Sequence, residues 1–138
     1  MRLFLDVNVL LDILIQREDY SLSEYSQKAI SAAKMLNMEL CIATITVPTL
    51  AYVIKGTAIE KKKRLKMLLK NITVLDSPAS NVDYALKSKF KDIEDGMQYD
   101  CAKANNCNII LTRDIKDFKE SEIPITTPQS FLKEVRSN

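Results

Sequence analysis

Short apolar runs alternate along the chain with longer stretches in which apolar residues return every three or four positions. The runs at residues 2–5, 39–43, 72–75 and 108–111, and a shorter one near Ile125, have the length and composition of buried strands. Helical stretches separate them. One covers roughly 8–15, and a second starts at Ser21 with Glu24 placed as the partner of a capping box. That second helix sets Leu22, Tyr25, Ala29, Ala32 and Leu36 on one face and stops at Asn37. A third covers about 46–55 with Pro48 in its first turn, and segment 58–71 turns Ile59, Leu65, Leu68 and Leu69 inward and its lysines outward. Ser77 and Pro78 begin a helix striped by Val82, Ala85, Leu86 and Phe90. Asp92 opens one striped by Ile93, Met97, Cys101 and Ala104, and Pro128 starts the last. Strands alternating with helices predict one α/β domain over residues 1–138 with a parallel sheet, without linker or repeat.

Composition narrows the chemistry. The chain has no histidine, which removes imidazole metal ligands and the usual serine or cysteine nucleophile pairs. Its 2 glycines, Gly56 and Gly96, cannot build a Walker loop or a dinucleotide fingerprint. The 20 basic and 18 acidic side chains nearly cancel, so attraction for a polyanion must be local and no membrane partner is indicated. Asp6, Asn8 and Asp12 interrupt the apolar opening, which therefore reads as folded cytoplasmic protein and not as a secretion signal. The 3 cysteines, Cys41, Cys101 and Cys107, form no CxxC pair and suit a reducing compartment as core residues.

Carboxylates are left to carry the chemistry. Asp6 follows the first strand, Asp114 and Asp117 follow the fourth, and Asp92, Glu94 and Asp95 begin the helix before that strand. In an open parallel sheet the carboxyl ends of strands and the amino ends of the following helices share one edge. Taken singly, these acids are better read as helix caps or as charges favoured by a helix dipole. Taken together they crowd one edge, where two carboxylates about 5 Å apart repel by about 3 kcal/mol at an effective dielectric of about 20. A divalent cation offsets that repulsion. Oxygen ligands without histidine or paired cysteine favour Mg²⁺ or Mn²⁺ over zinc.

LFLDVNVLLD resembles the opening motif of PIN domains, and KDIEDGMQYDCAKANNCNIILTRDIKDF followed by IPITTPQSFL is similar to the later motifs and tail of one bacterial branch. The resemblance implies a three-layer α/β/α sandwich around a parallel sheet of four or five strands, and a homodimer. It implies hydrolysis of RNA by a metal-activated water, with Asp6, Asp95 and Asp114 as metal-binding acids and Asp117 as a close auxiliary catalytic acid. Asn8 would orient Asp6, and Thr112 would do likewise for Asp114. Asp92 and Glu94 would stand behind the ligands, and Asp12 would belong to the helix surface or the site's surroundings. Similarity to VapC-type toxins also implies an antitoxin protein as partner. One departure stands out: toxin-type members carry a glutamate early in the helix after the second strand, where this chain has Thr49.

For substrate contact, Lys55, Lys61, Lys62, Lys63, Arg64, Lys66 and Lys70 form a basic run that reads equally as a solvated helix face and as an RNA contact. Arg113, beside Asp114, is placed to hold a scissile phosphate. Two rivals stand beside the ribonuclease. A haloacid-dehalogenase-like phosphatase would need a proton donor where Asn8 stands. A degenerate PIN domain that binds RNA or a protein without cutting draws its support from Thr49.

Overall fold

The structure, a computed structural model, describes residues 1–15 and 20–137. Five parallel strands form one sheet: β1 (Arg2–Leu5), β2 (Glu39–Ala43), β3 (Thr73–Leu75), β4 (Ile109–Leu111) and β5 (Ile125–Thr126), in the order β3-β2-β1-β4-β5. Seven helices are described: α1 (Val7–Leu14), α2 (Tyr20–Met35), α3 (Thr46–Val53), α4 (Ala58–Leu68), α5 (Ala79–Lys87), α6 (Ile93–Ala104) and α7 (Pro128–Ser137). The fold is the α/β parallel sheet that the sequence predicts. The capping role expected of Ser21 lies outside the described side chains.

Alternation along the strands separates two cores. Leu3, Leu5, Leu40, Ile42 and Leu111 face one side, where Val9, Leu10, Ala29, Ile30, Ala33, Leu50, Phe131 and Leu132 of α1, α2, α3 and α7 cover them. Phe4, Cys41, Ala43, Leu75 and Ile110 face the other and meet Tyr99, Cys101 and Ala102 of α6 together with Phe90 and Phe118. All three cysteines are buried and free. A parallel sheet covered on both faces explains why its strands read as continuous apolar runs.

Local signals set the element ends. The Thr57 hydroxyl accepts the Glu60 amide at 3.2 Å at the start of α4, and Thr127 does the same for Ser130 beside Pro128. Asn37 and Asn106, at φ 57° and 55°, end α2 and α6 in left-handed turns that lead straight into strands. Gly56 turns between α3 and α4 at φ 126°, a conformation L residues rarely adopt.

Several expected stripes are corrected. Tyr25, Leu36, Ile59, Val82, Leu86 and Ile93 are exposed, and α4 buries no residue fully. The reason is position in the layers: α5 packs on α6 and not on the sheet, and α4 lies at the periphery beside α3. The α5–α6 contact is close at Gly96, where a β-carbon would stand 3.1 Å from that of Ala85.

Candidate active site

The sheet changes direction between β1 and β4: from β1 the chain builds outward to β2 and β3, then crosses to β4 and β5 on the other side. Such a switch leaves a crevice beyond the strand carboxyl ends. The register sets Leu5 beside Leu111, so the next residues, Asp6 and Thr112, emerge side by side.

Asp6 occupies the cap position of α1 yet makes no side-chain cap bond, and it is 1% exposed. Its carboxylate instead accepts the Thr112 hydroxyl at 2.8 Å and the Gln98 amide at 3.4 Å. Burial raises its pKa to about 6 and the charge of Asp114 adds to the rise, while the Thr112 and Gln98 hydrogen bonds hold it back. Asn8 and Thr112 each reach the acid of the neighbouring strand in addition to their own. The Asn8 amide donates to Asp114 at 3.2 Å, whereas Thr112 holds Asp6 and its oxygen also accepts the Asp114 backbone N–H at 3.1 Å. Each polar residue thus also serves the acid of the neighbouring strand, because parallel pairing brings the two strand ends together.

Asp92 is the cap of α6, accepting the Asp95 backbone N–H at 3.0 Å. Asp95 is released from capping and lines the cleft, where burial, followed by the charges of Asp6, Asp92, Asp117 and Glu94, raises its pKa to about 8. Asp117 is exposed on the turn 115–118, with its N–H bonded to the Asp114 carbonyl at 3.0 Å. Thr49 does face the acids: its hydroxyl donates to Glu94 at 2.7 Å. Asp12, expected on the helix surface or in the site's surroundings, is 2% exposed and lies 3.3 Å from Arg113 Nη1. The Arg113 guanidinium is therefore engaged from below by α1, beside Asp114.

A cleft of about 870 Å³ opens over this edge, lined by Asn8, Thr49, Asp92, Glu94, Asp95 and Asp117, with Lys89, Lys91, Lys116 and Lys119 among its other walls. Its donors are carboxylate, amide and hydroxyl oxygens, the set a hard divalent cation accepts. Among the described residues, no three acidic or cysteine side chains converge closely enough to cage an ion alone. An ion here fits as a hydrated one, bound through one or two carboxylates with water completing its shell.

Gln98 was not legible as a site residue. It is fully buried in α6, accepts the Val7 N–H at 3.2 Å and donates to Asp6. The available signal was its placement one turn beyond Asp95 among Met97, Tyr99 and Cys101, all buried.

Two measurements separate these roles. Asp6 and Asp95 bind protons more tightly folded than unfolded, so metal-free stability falls as pH rises from 3.8 toward about 6 for one and about 8 for the other. Asp95→Asn should flatten that fall and leave the protein at least as stable as the parent in chelator at neutral pH. Millimolar Mn²⁺ should reverse the order, because ion binding stabilises the parent more. Denaturant melts that find the variant equally destabilised in both conditions would make Asp95 a helix residue only. Gln98→Leu, by contrast, should cost about 1–3 kcal/mol with or without metal, because a buried N–H and a buried carboxylate lose partners. An unchanged urea midpoint would rule out that bridging role.

The PIN-domain family model matches residues 2–116. The chain is 30% identical to Ribonuclease VapC1 of Aquifex aeolicus (strain VF5), covering 94% of this chain and 92% of that one. In architecture it is similar to the Rickettsia felis VapBC2 structure bound to a promoter DNA fragment, with a TM-score of 0.67, 19% identity and coverage of 92% and 98%. It is likewise similar to a toxin-antitoxin complex from Klebsiella pneumoniae, with a TM-score of 0.65, 21% identity and coverage of 93% and 98%. The chain belongs to the PIN-domain family.

Proposed function

We propose that this chain is a divalent-metal-dependent endoribonuclease, the toxin of a toxin–antitoxin pair. The observation that carries the reading is the crowding of acids at the β1–β4 switch, where the Thr112 oxygen bridges the Asp6 carboxylate and the Asp114 backbone N–H and Asp95 lines the adjoining cleft. The ribonuclease relative, similar over nearly the whole of both chains, supports the substrate class. The toxin–antitoxin complex among its structural neighbours supports a small antitoxin as partner. Action on RNA with reduced thiols fits the cytoplasm, and the protein works as a homodimer. No helix among the described residues is long and apolar enough to cross a membrane.

In this reading Asp6, Asp95 and Asp114 are the acids toward a hydrated Mg²⁺ or Mn²⁺, which one or two of them would bind directly and the rest through water. When bound, such a cation supplies Lewis acidity toward water and toward the phosphodiester. Thr112 and Gln98 fix the Asp6 carboxylate, and Asn8 fixes that of Asp114, so the acids are aimed before substrate arrives. Asp117 stands at the open side of the cleft as an auxiliary acid. Arg113 lies next to Asp114, held by Asp12, and contributes positive charge toward the scissile phosphate.

On this reading Thr49 need not mark a degenerate, non-cutting domain. Its hydroxyl is bonded to Glu94, which supports an acid from α6 acting in place of the missing α3 glutamate. The charge is supplied from a different helix.

Cleavage of a structured RNA should require Mg²⁺ or Mn²⁺ and fall about a hundredfold or more in Asp6→Asn or Asp114→Asn with circular dichroism unchanged. Undiminished cleavage in excess chelator, from protein free of contaminating nuclease, would defeat the proposal. Glu94→Gln should weaken Mn²⁺ binding in a calorimetric titration, and Thr49→Glu in the same background should restore it. If the second substitution leaves affinity at the level of the first, residues 49 and 94 do not share one function.

A further inference from the structure

The basic residues that line the cleft are not those of the conspicuous lysine run. None of the α4 lysines takes part in its walls, and Arg64 donates Nη2 to the Leu14 carbonyl at 2.9 Å. The cleft is flanked instead by Lys89 and Lys91, in the turn between α5 and α6, and by Lys116 and Lys119, in the segment after β4. All four are exposed. The same walls carry Asp92, Glu94, Asp95, Asp117 and Glu120, yet none of the four lysines forms an ion pair with a described residue. Four unpaired ammonium groups beside a group of crowded acids leave their charge available to an anion from solution.

The chain segments that carry them explain the arrangement. Lys89 and Lys91 flank Phe90, whose ring is buried against Tyr99 and Phe118, so both lysine stems are carried on an anchored turn. Lys116 and Lys119 flank Phe118, buried in the same cluster. The two phenylalanine rings pack against each other with centroids 5.9 Å apart. One aromatic contact therefore joins the two lysine pairs and fixes them relative to each other and to the acids.

We propose that a single-stranded RNA backbone crosses the cleft between the Lys89–Lys91 and Lys116–Lys119 pairs, its phosphates neutralised by them, and that the α4 lysines lie outside its path. The inference rests on the ribonuclease reading and adds the track along which substrate reaches the acids. Ammonium groups bind phosphate as point charges without reading bases, so this contact is indifferent to sequence. Any choice of cleavage position comes from elsewhere.

The test measures the salt dependence of binding by fluorescence anisotropy. It uses a labelled unstructured RNA and the full-length chain carrying Asp114→Asn, which prevents cleavage. For single strands log K against log salt falls with a slope of about −0.7 per phosphate neutralised. Lys89→Gln with Lys91→Gln, and Lys116→Gln with Lys119→Gln, should each make the slope shallower by up to about 1.4, and the fourfold variant by up to about 2.8. Lys62→Gln with Lys63→Gln should leave it unchanged. With Asp114 intact, the rim variants should raise KM and spare kcat. An unchanged slope in the fourfold variant, or a slope lost in the α4 pair, overturns the track and leaves the ribonuclease reading standing. A rim that serves an acidic protein partner would give that same unchanged slope. A parent protein that binds no RNA at any salt concentration overturns the ribonuclease reading and the track together.

Discussion

The carboxylate of Asp6 is buried at the end of the central strand, and an ionised group there is costly unless hydrogen bonds or a counter-charge compensate it. Two neutral donors, the Thr112 hydroxyl and the Gln98 amide, supply part of that compensation. Both come from segments that converge only when the β1–β4 pairing and the docking of α6 are complete. Gln98 also accepts the Val7 N–H, so the same side chain that serves Asp6 satisfies an otherwise unpaired amide in the first turn of α1. Strand register, helix docking and acid placement are therefore one constraint. Moving any of them strands a buried polar group.

Compensation by neutral donors is incomplete, and the incompleteness has a chemical use. Asp6 and Asp95 both hold protons more tightly than an exposed aspartate, because burial and neighbouring acids disfavour their charged forms. Asp92 contributes by taking over the capping bond of α6, which frees the Asp95 carboxylate to face the cleft. Clusters of this kind are stable when neutralised. Protonation achieves that below the raised pKa values, and on the proposed function a divalent cation would achieve it in place of the protons.

The strands and their order along the chain were legible because a parallel sheet covered on both faces writes continuous apolar runs into sequence. The edge on which the acids collect was legible for the same reason. Partner choice was legible only in part. Proximity in sequence suggests that Asn8 serves Asp6 and Thr112 serves Asp114, while parallel pairing brings the residue after one strand against the residue after the next. Helix periodicity overcounted burial at Ile59, Val82 and Leu86, since it reports that a helix has an apolar face and not whether another element covers it. Gln98 escaped notice because a glutamine on a helix is ordinarily solvent-facing, and only its docked neighbours reveal that it is buried.

The lysine run illustrates a related limit, and it bears on how the cleft works. Charge density along the sequence is highest on α4, where the helix buries no residue fully and its lysines extend into solvent. Charge density near the acids comes from four lysines spaced apart in sequence and joined by the Phe90–Phe118 contact. Among the described residues none of these lysines forms an ion pair with one of the acids. A polyanion drawn in by the rim therefore still meets repulsion at the centre, which only a cation lying between phosphate and carboxylates removes. On the proposed function, metal and RNA would therefore favour each other's binding on electrostatic grounds, and by linkage that coupling would be reciprocal. A cleft with lysines at its rim and crowded acids at its base would thus hold RNA firmly only once a cation is in place.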